Sequence, residues 1–246
     1  RSYFEREGGL REWHDQIAEW RGIRPQYGGG KGIDPREFIS ELSERTSGGA
    51  IITTGVGQHQ MWVAQGYRFK EPRSLVSSGG LGTMGFGLPA AIGAYFANPD
   101  KTIINIDGDG SFPMNQQELA TIVREKIPIK NFILNNRFLG LPRQWTDSFG
   151  SGGHFVDCLG RMPDCAPGCH GTNDCRNENP SFTGFTSVYN GLKAISVTEQ
   201  GDWKDVIDIV LRDKEFPWIV DVQIDRFADV LPIIPAGKGI EDMILE

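Results

Sequence analysis

Short runs dominated by apolar, largely β-branched residues punctuate the chain at 50–54, 75–78, 103–107, 132–135, 193–197 and 218–224. Runs of this length with little alternation read as strands buried on both faces. Between them the apolar positions change to helical spacing. Asp34-Pro35 opens one helix, with Asp as N-cap and Pro at the first helical position, and Phe38, Ile39 and Leu42 give it an apolar face. Further helices are expected from Gln58, over 88–97, from about 115 to 126, over 182–190 as a modest one, and over 202–214, where Trp203, Val206, Ile207 and Val210 share a face. Strands alternating with helices predict an α/β fold, a parallel sheet with helices on both faces. Residues 1–33 read as peripheral: Leu10, Trp13, Ile17 and Trp20 mark an amphipathic helix over 9–21, and Gly28-Gly29-Gly30 a flexible joint. The expected organisation is a linker with a peripheral helix over 1–33, one domain over 34–230, and a tail over 231–246.

Composition narrows the function classes. At 246 residues, 39% hydrophobic and 23% charged, the chain can bury a full core. A net charge of −7 disfavours nucleic acid as a partner. No apolar run reaches the length of a membrane span, and the polar N-terminus lacks a signal-peptide core. Arg1 in place of an initiator Met leads us to expect a processed or trimmed product.

The candidate chemistry lies at two strand ends. The run Ile103 to Ile106 leads into Asp107-Gly108-Asp109-Gly110-Ser111, and Phe132 to Leu134 leads into Asn135-Asn136. In an open α/β sheet, ligands bind at the carboxyl edge, where strands hand over to loops. Asp109 offers a carboxylate oxygen and Asn136 a neutral amide oxygen, while Gly108 and Gly110 allow close backbone approach. Oxygen ligands with few charges suit Mg²⁺ that takes its remaining ligands from water and phosphates. Asp109 and Asn136 stand 27 positions apart (136 − 109), room for one helical crossover, so neighbouring strand ends can grip one metal–diphosphate. A lone GDG is a common strand–helix turn; the NN at the end of the next strand makes the pattern specific.

This pairing resembles the thiamin-diphosphate motif, and longer blocks resemble the acetohydroxyacid synthase (acetolactate synthase) family. These are Gly55-Val56-Gly57-Gln58-His59-Gln60-Met61-Trp62, the block from Ser78-Gly79-Gly80-Leu81-Gly82-Thr83-Met84-Gly85 to Ala91, the stretch 107–119, Gly140-Leu141-Pro142-Arg143-Gln144-Trp145, and Val230-Leu231-Pro232 with Asp242-Met243-Ile244 in the tail. The resemblance covers about residues 34–149 and 180–246 and concerns the diphosphate-binding domain of the catalytic subunit. It implies a thiamin-diphosphate-binding fold. It also implies that Asp109, Asn136 and the Phe138 carbonyl bind Mg²⁺, and that Gln58, His59, Gly108, Gly110, Ser111, Asn136, Gly140 and Leu141 surround the diphosphate. Gly82 and Met84 would meet the aminopyrimidine, with the Met84 side chain under the bent cofactor, and Trp145 would line the pocket for the second substrate. From residue type alone, Met84 and Trp145 read better as core residues, and His59 as a helix cap. Arg137, Phe138, Pro142 and Arg143 depart from the pattern and bear on substrate preference.

The activity implied is condensation of pyruvate with a second 2-oxoacid and release of CO₂, early in branched-chain amino-acid synthesis. The implied partner is a pyrimidine-binding domain or subunit supplying a catalytic glutamate, within a homo- or hetero-oligomer. The resemblance also allows FAD in the full enzyme, a regulatory subunit, and a cytoplasmic or plastid setting. Two other readings remain open: a subunit of a split 2-oxoacid decarboxylase, and a non-catalytic module that binds cofactor or docks to a partner.

Residues 150–179 do not match. They read as an inserted surface loop rich in Asp, Asn, Pro and Gly, with Cys158, Cys165, Cys169, Cys175, His154 and His170. The spacing C-x6-C-x3-C-x5-C lacks the C-x2-C pairs usual for zinc. Zinc or iron ligation, disulfides and free thiols all remain open readings for this insertion.

Overall fold

All six expected strands form and join one parallel sheet. They are β1 (Ile51–Thr54), β2 (Leu75–Ser77), β3 (Ile103–Gly108), β4 (Lys130–Asn135), β5 (Lys193–Val197) and β6 (Trp218–Gln223), in the spatial order β2-β1-β3-β4-β6-β5. The structure, a computed structural model, describes residues 9–22, 30–149, 157–159 and 180–245. Every residue of β1, β3 and β4 is buried, as expected for central strands covered on both faces.

The helices divide between the two faces. On one, Phe38 of α2 (Pro35–Arg45) packs edge-on against Phe132 of β4 at 5.5 Å between centroids, and Trp203 of α7 (Trp203–Arg212) lies 5.6 Å from Phe38. On the other, Leu88 and Ala91 of α4 (Gly87–Ala97) join Phe112 and Leu119 in a cluster with Ile51, Ile103, Ile133 and Ile219 of the sheet. The Asp34 N-cap is present: its carboxylate accepts the Arg36 N–H at 2.8 Å.

A polar ladder crosses the sheet inside this core. Thr53 Oγ1 donates to Asn105 Oδ1 (3.2 Å), Asn105 Nδ2 to Asn131 Oδ1 (3.2 Å), and Asn131 Nδ2 to the Trp218 carbonyl (3.0 Å). Gly87 presses on this ladder, since a Cβ there would collide with Asn105 Oδ1 and lie 2.6 Å from the Gly55 nitrogen. Overpacking of this kind costs about 1–3 kcal/mol. Gly87→Ala is therefore expected to lower the urea midpoint of unfolding by that equivalent; an unchanged midpoint would show that α4 shifts freely.

Several elements differ from the sequence expectation. The helix expected from 115 begins earlier as a 3₁₀ helix, Phe112–Glu118, is kinked at Asn115 (φ −132°), and only then becomes α5 (Leu119–Arg124). The helix expected over 182–190 is a 3₁₀ helix, Phe182–Ser187. The segment after the NN forms α6 (Gly140–Phe149), which the hydrophobic pattern had not signalled. Ile33 pairs with β6: its N–H donates to the Gln223 carbonyl, and the Asp225 N–H donates to the Ile33 carbonyl, both at 3.0 Å. The sheet-bearing unit accordingly runs Gly30–Asp229.

The flanking unit comprises 1–29 and 230–246. In it, helix α1 (Gly9–Gly22) forms as expected, with Trp13 52% exposed. The tail closes on itself through the Ile233–Ile244 pairing, with N–H to carbonyl distances of 3.0 and 2.8 Å. Among the described residues, no helix is long and apolar enough to cross a membrane.

Candidate functional site

The strand order creates the crevice. From β1 the chain moves to β2 on one side, then returns to β3 on the other, so the loops leaving β1 and β3 part company at their carboxyl ends. Ligands of open α/β sheets bind at such switch points. A cavity of about 650 Å³ including its open mouth lies there. Its lining draws on the β1 loop and α3 (Gln58–Gly66), the glycine-rich loop, the turn after β3, and the loop and first turn of α6 after β4.

Gln58, His59, Gly82, Met84, Gly108, Asp109, Gly110, Ser111, Asn136, Phe138, Gly140 and Leu141 all line this cavity. Trp145 does not line it; it stacks on Phe149, 5.4 Å between centroids with planes 22° apart. The sequence reasoning missed Val56, Gly57, Trp62, Leu134, Leu139, Pro142 and Ile224 as lining residues. All of these but Leu139 lay within the quoted blocks and strand runs; for Leu139 there was no signal.

Two backbone N–H groups organise the polar loop. Arg137 sits in the left-handed region (φ +63°), where a non-glycine residue is uncommon. That turn directs its N–H to Asp109 Oδ2 at 2.7 Å, and the next N–H, of Phe138, to Asn136 Oδ1 at 3.0 Å. Consecutive amides thus hold one oxygen from each strand end. Both side chains are buried, each residue about 5% exposed. The two asparagines divide the work: Asn135 Nδ2 donates to Asp221 Oδ1 at 2.9 Å and braces the sheet, while Asn136 lines the cavity.

Burial shapes the charges beneath this loop. The His59 imidazole is pushed down to about 4 by desolvation, offset only in part by a hydrogen bond with the Gly55 backbone, and so is neutral at pH 7. The Asp107 carboxyl, 3.6 Å from His59 Nε2, is pushed up to about 7 by the same burial, against hydrogen bonds from Ser111, Gly108 and Asn105. Ser111 Oγ also accepts the Gly85 N–H at 3.0 Å, tying the turn after β3 to the glycine-rich loop. That loop places Gly82 at φ +66°.

The donor set fits a metal–diphosphate. A carboxylate and an amide oxygen are the ligands a hard cation takes. His59 Nε2 and Trp62 Nε1 are buried nitrogens without a hydrogen-bond partner within the described residues, and both residues line the cavity. Side chains press on the glycines: a Cβ on Gly110 would lie 2.6 Å from Leu139 Cδ2, and one on Gly140 would displace Gln58 Oε1 and lie 2.9 Å from Asn136 Nδ2. Gly140→Ala is expected to weaken thiamin diphosphate binding at least tenfold in a calorimetric titration, with far-UV circular dichroism retained; unchanged affinity would contradict the close approach.

The insertion meets the site at the one place where it is described. The Leu139 N–H donates to the Asp157 carbonyl (2.7 Å) and the Leu159 N–H to the Arg137 carbonyl (3.1 Å), an antiparallel bridge pairing Phe138 with Cys158. These bonds do not use the Phe138 carbonyl. Cys158 is buried, 8% exposed, which corrects the expectation of a surface loop at this residue. Cys165, Cys169, Cys175, His154 and His170 lie outside the described residues, and with them the zinc, iron and disulfide readings. Among the described residues no glutamate lines the cavity; Glu118 instead accepts a hydrogen bond from Thr121 at 3.2 Å.

Comparison with known proteins gives the family. The family model for the thiamine pyrophosphate enzyme, C-terminal TPP binding domain, matches residues 55–222, more than half of the chain. Acetolactate synthase, chloroplastic, of Arabidopsis thaliana is 45% identical over 219 residues, 88% of this chain and 31% of that protein. Acetolactate synthase 2, chloroplastic, of Zea mays is 42% identical over 240 residues, 95% of this chain and 35% of that protein. The chain thus spans about a third of the length of the curated relatives it matches. Among solved structures, the Rhodococcus jostii RHA1 thiamine diphosphate-dependent 4-hydroxybenzoylformate decarboxylase shares the fold, with TM-score 0.64 and 22% identity over 82% of this chain and 34% of that one. The chain belongs to the thiamine pyrophosphate enzyme family and carries its C-terminal TPP-binding domain.

Proposed function

We propose that this chain is the magnesium–thiamin-diphosphate-binding part of an acetolactate synthase, acting in the condensation of pyruvate with a second 2-oxoacid and release of CO₂. The carrying observation is the pair of oxygens from adjacent strand ends, Asp109 Oδ2 and Asn136 Oδ1, held by consecutive amides in one cavity. Asp109, Asn136 and the Phe138 carbonyl would ligate Mg²⁺. The start of α3 at Gln58 and the turn at Gly110-Ser111 would receive the diphosphate, because N–H groups at helix starts attract anions. When bound, the cofactor supplies the electron sink for breaking the bond to CO₂ and forming the new carbon–carbon bond. The residues of this chain orient it, exclude water with Met84, Leu139 and Phe138, and keep a neutral His59 beside the anion.

Similarity to acetolactate synthases over most of the chain supports the choice of reaction. The chain spans about a third of the length of the acetolactate synthases it resembles, which supports a partner that brings a glutamate, on a further part of the same polypeptide or in a second chain. Assembly into an oligomer, FAD, a regulatory subunit and, for a eukaryotic source, a plastid setting belong to the same proposal. Product analysis tests it: the chain reconstituted with a pyrimidine-binding partner, given pyruvate, should release acetolactate. Acetaldehyde as sole product would favour the decarboxylase reading.

A further inference from the structure

The polarity of the Asn136 amide is set from both of its ends. The Ala228 carbonyl can only accept a hydrogen bond and the Phe138 N–H can only donate one. Between them run two side-chain amides. Gln58 Nε2 donates to the Ala228 carbonyl at 3.1 Å and to Gln144 Oε1 at 2.9 Å. Gln58 Oε1 then accepts from Asn136 Nδ2 at 3.2 Å, and Asn136 Oδ1 accepts from the Phe138 N–H at 3.0 Å. Each amide can take only one orientation, because the backbone group at each end has one sense. Flipping either would set donor against donor or acceptor against acceptor. The far end is itself anchored: Arg143, a buried residue of α6, donates from Nη2 to the same Ala228 carbonyl at 2.8 Å and pairs with Asp229 at 2.7 Å.

We infer that Gln144 is a positioning residue for the metal site: with the Ala228 carbonyl it orients Gln58, and through Gln58 it keeps the Asn136 oxygen, not its NH₂, available as a cation ligand. Gln144 is 2% exposed and does not line the cavity; its 2.9 Å bond from Gln58 is the route by which it reaches the site. The inference rests on the reading of Asp109 and Asn136 as ligands of magnesium with thiamin diphosphate.

The test is the Mg²⁺ concentration needed for half-maximal thiamin diphosphate binding by the full 246-residue chain, read by calorimetry. Gln144→Met removes the acceptor at similar volume and is expected to raise that concentration about 10-fold, the lower end of the 10–100-fold typical of outer-shell partners. Gln144→Glu keeps an acceptor oxygen and is expected to stay close to the unsubstituted chain. In a Gln58→Met background, Gln144→Met should have no further effect, since the relay is already cut; a packing role for Gln144 would persist there. Gln144→Ser serves if circular dichroism shows that Gln144→Met does not fold. An unchanged Mg²⁺ requirement in the acceptor-less variant, or equal losses in Met and Glu variants, overturns the inference. No Mg²⁺-dependent binding by the unsubstituted chain overturns instead the metal reading on which it rests.

Discussion

Asp109→Ala is expected to abolish Mg²⁺-dependent binding of thiamin diphosphate while leaving a folded protein. Loss of an outer-shell partner already costs about 10–100-fold in metal affinity, so removing the sole carboxylate proposed to touch the ion should cost more than about 100-fold. The structural penalty is smaller. The Arg137 N–H loses its acceptor at 2.7 Å but keeps Asn135 Oδ1 at 3.2 Å, so the loss stays below the about 1–3 kcal/mol of a buried donor left unpaired. Domains of this size have about 5–15 kcal/mol to lose, so the variant should still unfold cooperatively. Asp109→Asn separates the two effects, since it keeps an oxygen for Arg137 and removes only the charge. It should regain the stability and little of the affinity. Calorimetry with circular dichroism melts measures both; unchanged affinity in Asp109→Ala would remove the residue from the metal site.

The second large effect concerns completeness. Residues 1–246 alone are expected to bind thiamin diphosphate weakly and to make no acetolactate at a useful rate. Among the described residues the cavity contains a neutral His59 and the carboxylate assigned to the metal, but no glutamate to exchange a proton with the cofactor. General acid–base assistance contributes about 10²–10⁴-fold, and loss of the opposing wall forfeits positioning besides. Adding a pyrimidine-binding domain should restore activity. Robust acetolactate formation by the chain alone, shown free of partners by mass spectrometry, would reveal a base within these residues.

The sheet and the metal loop were legible because both are local in sequence. Ile103 to Ile106 and Phe132 to Leu134 are apolar at every position but Asn105, as strands covered on two faces must be, and each ends where small polar residues begin. The rest depends on contacts between distant residues. Helix α6 opens Gly-Leu-Pro, a poor helix signal, and buries Arg143 and Gln144, residue types that ordinarily mark a solvated face. Arg143 had stood out only as a departure from the family pattern, yet it anchors the Ala228 carbonyl. Asn105 and Asn131 interrupt apolar strands and bond to each other, Thr53 and Trp218, pairings that need the register of four strands. The stacking of Trp145 on Phe149 is set by the helix, which no motif encodes. The contact of Asp157 and Leu159 with the loop after β4 was likewise invisible, because a long insertion gives no hint of where it returns.

The central claim is that the carboxyl edge of this sheet holds thiamin diphosphate through a magnesium ion. Calorimetric titration of the chain with thiamin diphosphate, once with Mg²⁺ and once with EDTA, tests it most directly. Saturable heat is expected with Mg²⁺ and none with EDTA. A correctly folded sample that gives no heat in either case, or equal heat in both, would contradict the claim.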